Sequence, residues 1–401
     1  MSPWLTILGV GDDGLDGLAS APRALIGAAD IVVGSQRILE RAELGDVETH
    51  IWTSPIEEML ARISGWKDKN VVILATGDPM HYGIGATLAR HMAVEDMTVI
   101  PAPSAFSLAA AKLKWPLQEV ETLSLHGRSV SLLQPFIQPG AKILALTGGG
   151  ETVQEAAGIL RARGFGESAL HVLEHMGGAE QRIVTLTADS CEDNDFAAFN
   201  TLGLECIAGP DAKLLARVPG LPDEAFTHDG QLTKREVRSV TIAALGPTPG
   251  ALLWDIGAGC GSISIEWMRA VRGGRAIAFE RNQARVQMIA ENAVALGAPG
   301  LEVVSGDVEQ TLSGHPAPAA VFIGGAVTNE SVFESCWKAL PPGGRLVANA
   351  VTLEGEAALI ARHESHGGEL VRIDVSHVAR IGTRRALKPR MAVTQWRAAK
   401  A

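Results

Sequence analysis

The loop Gly257-Ala258-Gly259-Cys260-Gly261 carries the residue types best suited to hold a nucleotide-like ligand. It follows the apolar run Trp254-Asp255-Ile256 and precedes a helical pattern that starts at Ser262. Because glycine has no Cβ, three glycines at this spacing let the backbone approach a ligand closely. The sequence therefore predicts a ligand-binding turn between a buried strand and a helix.

Acidic residues close the next two predicted strands in the order that such a ligand requires. Glu280 ends the second strand, where a carboxylate can accept hydrogen bonds from both ribose hydroxyls. Asp307 and Val308 end the third strand, where an adenine would lie. Together with Asp255 and the glycine loop, these residues are the predicted cofactor contacts of the second half.

The glycine spacing distinguishes between two cofactor classes. A dinucleotide fingerprint needs its third glycine at position 262, where this sequence has Ser262. The observed G-x-G-x-G spacing resembles that of S-adenosylmethionine-dependent methyltransferases. A nicotinamide-dependent reductase stays open as the alternative.

The fourth predicted strand runs into Phe322-Ile323-Gly324-Gly325. Methyltransferases of planar amino groups usually carry an Asn- or Asp-Pro-Pro-aromatic motif at this point. Its absence favours a carbon atom as the methyl acceptor. The net charge of −10 also argues against nucleic acid as a partner.

Two loops of the first half form a second candidate site. The run Thr76-Gly77-Asp78-Pro79-Met80-His81 and the run Pro103-Ser104-Ala105 each follow a predicted strand. Open α/β sheets bind ligands at the carboxyl ends of their strands. A third loop, Gly11-Asp12-Asp13-Gly14, is acidic and therefore a poor phosphate cradle. Because of this acidic loop, the alternative stays open that one half is a degenerate binding or scaffolding module that has lost its cofactor.

A basic segment precedes the glycine loop. Thr233 and Glu236 match a capping box that would open a helix. Lys234, Arg235 and Arg238 place three cations on the same short segment, as a carboxylate-binding patch or a solvated face. A second basic stretch, residues 372–400, holds eight basic residues and one acid.

Short apolar strands alternate with helical patterns through both halves, which predicts an α/β fold with parallel sheets. Periodicity is absent from about residue 208 to 230, where Pro and Gly are frequent. We therefore predict domains at residues 1–208 and 209–401. The strands predicted in the first half are Trp4–Val10, Val71–Ala75, Thr98–Pro101, Lys142–Thr147 and Ala169–Leu173, and those of the second half are Ala251–Ile256, Arg275–Glu280, Leu301–Asp307, Ala319–Ile323 and Arg345–Asn349, with a closing hairpin of Leu370–Val378 and Met391–Trp396.

The composition fits a multidomain globular protein. With 401 residues, 46% of them hydrophobic and 20% charged, the chain is too long for one small module and too apolar for disorder. The four cysteines form no CxxC pair, so neither a disulfide framework nor a zinc or other metal site is expected. This pattern and the lack of a long apolar run favour a cytoplasmic protein without a membrane span.

The first half, about residues 3–205, resembles the tetrapyrrole methylase family. The resemblance implies two α/β subdomains that bind S-adenosylmethionine in a cleft through Thr76, Gly77, Asp78, His81, Ser104 and Ala105, with Met176 of Glu174-His175-Met176-Gly177 as a weaker match. The family's opening loop contains Gly-Pro-Gly, and this chain has Gly11-Asp12-Asp13-Gly14 instead. That departure, with Val33-Gly34-Ser35-Gln36-Arg37 and Leu123-Ser124-Leu125-His126-Gly127-Arg128, is similar to the corrin C5-methylating branch.

The second half resembles the decarboxylating C15-methyltransferases, a class I fold with a Rossmann-like seven-stranded sheet. The resemblance runs from Gly220-Leu221-Pro222-Asp223 through Thr233-Lys234-Arg235-Glu236-Val237-Arg238 to Gly382-Thr383-Arg384-Arg385, and it adds Thr233 to the cofactor contacts. The fused order resembles the decarboxylating C5,15-methyltransferases of cobalamin biosynthesis. It implies one S-adenosylmethionine per domain and a tetrapyrrole substrate, precorrin-6B, and we expect a homo-oligomer. By resemblance to the family, the fusion of the two domains favours the aerobic route, in which the substrate contains no cobalt.

Four cations and one histidine are the candidate catalytic residues under this resemblance. The substrate bears many carboxylates, which Lys234, Arg238, Arg384 and Arg385 could anchor. His228 is a candidate proton donor to the ring, or a solvated linker residue. A small-molecule methyltransferase with an accessory domain stays open as a further alternative.

Overall fold

A computed structural model describes residues 3–192 and 194–401 of the chain. The chain forms two compact units. Unit 1 comprises the described residues of Met1–Val130 and Pro139–Ala212, and unit 2 comprises Ser131–Gln138 and Lys213–Ala401. The main change of unit falls shortly after the predicted boundary, and the short segment 131–138 folds with unit 2.

Unit 1 begins with a parallel five-stranded sheet in the order β3-β2-β4-β1-β5. Aliphatic side chains of β1, β2 and β4 fill the core because these central strands are covered on both faces. The strands are β1 (Leu5–Val10), β2 (Ile31–Gly34), β3 (Glu48–Ile51), β4 (Val71–Thr76) and β5 (Met97–Ile100), and the helices are α1 (Ser20–Gly27), α2 (Gln36–Arg41), α3 (Ile56–Ser64) and α4 (Ile84–His91).

A second five-stranded sheet of unit 1 has the order β6-β7-β10-β8-β9, with one parallel pair and three antiparallel pairs. The helix that follows β5 packs on β7 and β10 of this second sheet. The loop after β5 therefore leads from one sheet to the other. The elements are α5 (Ala105–Leu113), β6 (Glu121–Ser124), β7 (Lys142–Leu146), α6 (Gly150–Ala162), β8 (Ala169–Glu174), β9 (Arg182–Thr187) and β10 (Asn200–Glu205).

Unit 2 contains a seven-stranded sheet in the order β13-β12-β11-β14-β15-β19-β16. The first five strands are parallel, and β19 runs antiparallel to β15 and β16. This confirms the predicted class I architecture. The last two strands of the sheet pair antiparallel as predicted, but the predicted strand Leu370–Val378 divides into β16 and the start of a separate hairpin. Its elements are α7 (Arg235–Leu245), β11 (Leu252–Ile256), α8 (Ser262–Ala270), β12 (Arg275–Glu280), α9 (Gln283–Ala295), β13 (Glu302–Ser305), α10 (Val308–Thr311), β14 (Ala320–Ile323), α11 (Glu330–Ala339), β15 (Arg345–Ala350), α12 (Leu353–His366), β16 (Glu369–Ile373) and β19 (Val393–Ala399).

A two-stranded hairpin of β17 (Ser376–Ile381) and β18 (Arg384–Pro389) stands apart from this sheet. We call Ser376–Pro389 the hairpin arm. Its cross-strand pair Val378 and Leu387 is 67% and 69% exposed, and Ile381 is also exposed. Within the described residues, no helix combines the length and the apolar character that a membrane crossing requires.

Candidate functional sites

Three strand ends of unit 1 meet at one place, which we call the N-terminal site. The Gly77 amide, just after β4, donates a hydrogen bond of 2.8 Å to the Val10 carbonyl at the end of β1. Gly77 has φ +64°, and an added Cβ there would lie 3.4 Å from the Pro103 carbonyl oxygen after β5. The left-handed φ favours glycine at this position, while the loops lie in ordinary van der Waals contact.

The predicted contacts of this site lie on its loops. Thr76 is the last residue of β4, and Asp78 Oδ1 accepts a 2.8 Å hydrogen bond from the Met80 amide. The His81 ring lies 4.6 Å from the Phe106 ring. Ser104 caps α5 through Ser107, and Ala105 is the first residue of that helix.

Met176 lies deeper than the resemblance implies. Its side chain is buried in a cluster with Phe106, Leu144 and Leu173. Because the Met176 side chain packs in the hydrophobic core, any contact of this residue with a ligand would be made by its backbone. A direct cofactor contact by Met176 stays a prediction.

The glycine loop of unit 2 forms the C-terminal site. Gly257, Gly259 and Gly261 have φ of +70°, +62° and +80°, in the left-handed region that favours glycine. An added Cβ at Gly257 would lie 2.8 Å from the Gly325 Cα. The Ala258 amide donates to the Phe279 carbonyl, which draws the loop over β12. The loop shape thus depends on the absence of side chains.

Glu280 lies at the centre of this site. It is buried, and its Oε2 and Oε1 accept hydrogen bonds of 2.9 Å each from the Gly259 and Asn282 amides. Cys260 is buried beside it, where burial raises the pKa of its thiol. The Glu280 carboxylate therefore lies at the end of β12, next to the backbone of the glycine loop. This arrangement fits a ribose and a small cationic ligand.

Strand β13 ends at Ser305, two residues before the predicted strand end, so Asp307 and Val308 lie just beyond it, at the start of α10. The exposed Asp307 carboxylate accepts a 3.0 Å hydrogen bond from the Glu309 amide and caps α10. The other oxygen, Oδ2, makes no hydrogen bond within the described part of the chain. Both residues stay predicted adenine contacts.

Asp255 differs from the other acids because its side chain is fully buried. Oδ2 accepts hydrogen bonds from the Ser264 amide and hydroxyl at 3.1 and 2.7 Å, which fixes the start of α8. Oδ1 has no hydrogen-bond partner among the described atoms. Asp255 therefore helps to position the glycine loop by holding the start of α8, the helix that follows the loop. A direct contact between Asp255 and a ligand stays a prediction.

Burial raises the pKa of Asp255 to about 6. Because the folded pKa lies above the unfolded value of 3.8, folding is favoured below pH 4, and this contribution is lost as the pH rises through 6. Denaturation across this range should show Asp255→Asn gaining stability relative to the wild type by up to about 3 kcal/mol. A difference that does not change with pH would contradict this assignment.

The structure corrects the prediction for Arg238. This residue is fully buried, with Nε donating to Glu266 Oε1 at 2.7 Å and Nη1 to Asp223 Oδ1 at 3.2 Å. Nη1 also donates to the Thr233 carbonyl, and Nη2 to the Leu221 carbonyl. Because these partners use the guanidinium, Arg238 cannot anchor a substrate carboxylate. The sequence prediction missed its two acidic partners.

The capping-box prediction is also wrong. Helix α7 begins at Arg235 with Lys234 as its N-cap, and neither Lys234 nor Thr233 caps it; the Asp223 carboxylate instead accepts a 3.0 Å hydrogen bond from the Arg235 amide. Thr233 lies before the helix, where its carbonyl accepts from Arg238, and its cofactor contact stays a prediction. The half-buried His228 accepts a 3.0 Å hydrogen bond from the Gly230 amide through Nδ1.

Two partly exposed cations surround Asp223. Lys234 Nζ lies 4.0 Å and Arg390 Nη1 3.9 Å from Asp223 Oδ2. Arg390 was not singled out by sequence reasoning, although it lies in the basic stretch. Both cations keep partial exposure, so each can reach an anionic ligand.

Arg384 and Arg385 are exposed on β18 of the hairpin arm. Neighbouring residues of a strand point to opposite faces. The two arginines therefore face different directions and would contact different carboxylates. Each stays a separate candidate anchor. No group of three metal-ligating side chains is found among the residues that the structure describes.

Two family models match the chain in succession. Residues 5–191 match tetrapyrrole (corrin/porphyrin) methylases, and residues 224–400 match the precorrin methyltransferase domain. A cobalt-precorrin-7 C(5)-methyltransferase of Salmonella typhimurium is 31% identical over 179 residues, which is 45% of this chain and 88% of that protein. A protein of Sulfurisphaera tokodaii, named as a cobalt-precorrin-6B C(15)-methyltransferase (decarboxylating), is 31% identical over 142 residues, or 34% of this chain and 74% of that protein.

One relative covers both regions. The precorrin-6Y C(5,15)-methyltransferase [decarboxylating] of Sinorhizobium sp is 45% identical over 397 residues, which is 99% of this chain and 96% of that protein. The matched region therefore spans both units nearly in full. The chain therefore belongs to the family of decarboxylating precorrin-6Y C(5,15)-methyltransferases.

Proposed function

We propose that the chain transfers two methyl groups from S-adenosylmethionine to carbons 5 and 15 of precorrin-6B, and removes the ring-C acetate carboxylate as carbon dioxide. The product would be precorrin-8X of cobalamin biosynthesis. One observation carries this proposal: each unit has its own strand-end site, built from unrelated loops. Separate relatives that are named for one transfer each support the division.

We assign the C5 transfer to unit 1 and the C15 transfer with decarboxylation to unit 2, with one S-adenosylmethionine in each. When bound, this cofactor supplies an electrophilic methyl group on sulfur. In unit 1, Gly77, Asp78 and Ser104 would hold it. In unit 2, the glycine loop and Glu280 would do so. No side-chain nucleophile is needed, so the main tasks of the protein are alignment and exclusion of water.

The cations of unit 2 fit the carboxylates that remain on the product. A cation paired with the departing carboxylate would stabilise its charge and oppose the loss of carbon dioxide. We therefore assign Lys234 and Arg390 to carboxylates that stay, since both are partly exposed beside Asp223. Arg384 and Arg385 would contact further carboxylates from the hairpin arm.

Product analysis tests the proposal. The full chain is incubated with precorrin-6B and S-adenosylmethionine, and the product is examined by mass spectrometry and carbon NMR. We expect two added methyl groups and the loss of one carbon dioxide. Titration with S-adenosylhomocysteine should give two sites per chain. A single site would support the alternative of one degenerate unit, and a product with one methyl group would contradict the proposed function.

We also propose that the hairpin arm mediates assembly with further copies of this chain. Its exposed Val378 and Leu387 form an apolar cross-strand pair, and a two-stranded hairpin is marginally stable alone. Light scattering after size exclusion should show an oligomer for the wild type and dissociation for Val378→Glu with Leu387→Glu. Lys388→Gln on the same strand is the control. An unchanged mass for the double variant would contradict this role.

A further inference from the structure

The acidic loop of unit 1 places a buried carboxylate among cations. The Asp12 side chain is 2% exposed. Arg37 and Arg41 of α2 both contact its Oδ1, Arg41 at 3.1 Å. The Arg37 guanidinium also lies 3.8 Å from the centre of the Phe199 ring. The two cations offset the cost of burying this charge, so the loop is a built ionic cluster.

His175 meets this carboxylate from the second sheet. Its Nδ1 lies 3.4 Å from Asp12 Oδ2, and its backbone has φ +47°, in the left-handed region. An added Cβ at Gly178 would collide with Asp12 Oδ2, so this approach requires glycine there. Nδ1 is buried while the side chain keeps 20% exposure. Nδ1 has no hydrogen-bond partner among the described residues, but the Asp12 carboxylate beside it favours the tautomer that carries its proton on Nδ1 and leaves Nε2 as a proton acceptor.

Asp12 and His175 are each connected to the N-terminal site through a neighbouring residue. Asp12 follows Val10, whose carbonyl accepts from the Gly77 amide. Met176, the residue after His175, packs in one cluster with Phe106, and the Phe106 ring contacts His81. Asp12 and His175 therefore lie on segments that adjoin, through their chain neighbours Val10 and Met176, the loops that we assign to the methyl donor.

The C5 transfer must release a proton. The electron pair of the ring carbon forms the bond to the methyl carbon, and the carbon–sulfur pair leaves with sulfur as S-adenosylhomocysteine. The ring is then cationic, and the acceptor carbon still carries its hydrogen. When that C–H bond breaks, its electron pair neutralises the ring, and the proton needs an acceptor.

We propose that His175, oriented by Asp12, is the general base that accepts this proton through Nε2 at the N-terminal site. The inference rests on the proposed C5 transfer. This role also explains the acidic loop Gly11-Asp12-Asp13-Gly14, because Asp12 would orient a base and would not contact a phosphate. Among the described residues, the charged groups that face the imidazole or its partner are Asp12, Glu174, Glu180, Arg37 and Arg41.

The test compares His175→Gln and His175→Ala with the wild-type full chain, using precorrin-6B and S-adenosylmethionine. We expect the rate of C5 methylation to fall by about 10²- to 10⁴-fold in both variants. Imidazole added to His175→Ala should restore a large part of the rate, in proportion to the neutral form of imidazole as the pH rises. A role in folding alone would not give this recovery.

His171→Gln is the matched control, because His171 lies on β8 of the same unit and contacts Thr185. It should keep the wild-type rate. S-adenosylhomocysteine should bind His175→Gln with the wild-type number of sites. A wild-type C5 rate in His175→Gln, or no recovery with imidazole, would overturn the inference. Absence of C5 methylation in the wild type would instead overturn the proposed function on which it rests.

Discussion

Replacement of Arg238 by methionine is expected to lower the free energy of unfolding of unit 2 by about 3–5 kcal/mol. Glu266, also buried, accepts hydrogen bonds from Arg238 and from the Gly220 and Leu221 amides. Without the guanidinium, its buried charge loses its counterion. Asp223 would also lose one of its hydrogen bonds to α7, although the Arg235 amide still donates to its Oδ1 at 3.0 Å.

Cysteine labelling during denaturation can separate the two units. Cys260 and Cys336 are buried in unit 2, and Cys191 and Cys206 in unit 1. In Arg238→Met, the unit 2 cysteines should react at a lower denaturant concentration, while those of unit 1 do not change. Arg235→Met is the control, since Arg235 is exposed on the same helix. Equal stability of the two variants would show that the buried network contributes little.

Substitution of Gly257 by alanine should remove one of the two expected S-adenosylhomocysteine sites. The new Cβ would lie 2.8 Å from the Gly325 Cα, and neither backbone can give way as a flexible side chain could. Strain at φ +70° adds to this clash. Together the two effects should weaken binding at the C-terminal site by about 100-fold or more, since 3 kcal/mol corresponds to that factor.

Gly250→Ala is a matched control for this substitution. Gly250 has φ +75°, but an added Cβ there meets nothing within 4 Å. It should therefore show backbone strain without loss of a binding site. Calorimetric titration should find one site in Gly257→Ala and two in Gly250→Ala. Two sites of wild-type affinity in Gly257→Ala would contradict the placement of the cofactor on this loop.

The sequence predicted elements well where burial is continuous. Strand β12 has its predicted bounds, and β11, β14 and β15 differ from theirs by one residue. These strands are central in a parallel sheet, so their apolar runs end at the loops that carry ligands. The glycine loop after β11 and Glu280 at the end of β12 could be placed for the same reason.

Long-range pairing could not be predicted in this way. Arg238 looked like an exposed anchor because its partners Asp223 and Glu266 lie elsewhere in the sequence. Asp12 looked unfavourable for a ligand because nothing local indicates Arg37 or His175. The hairpin arm was missed because its strands carry no buried face, and period-2 burial is the signal that reveals a strand.

The segment Ser131–Gln138 has a practical consequence for dissecting the two activities. It belongs to unit 2 although it interrupts unit 1, and Gln138 Nε2 donates a 2.8 Å hydrogen bond to the Leu215 carbonyl. An added Cβ at Gly297 would collide with Pro135, so the segment fits closely there. A fragment cut at residue 212 would thus leave unit 2 without eight of its residues and unit 1 with an unanchored loop. A design for separate expression of unit 2 should therefore take these eight residues into account.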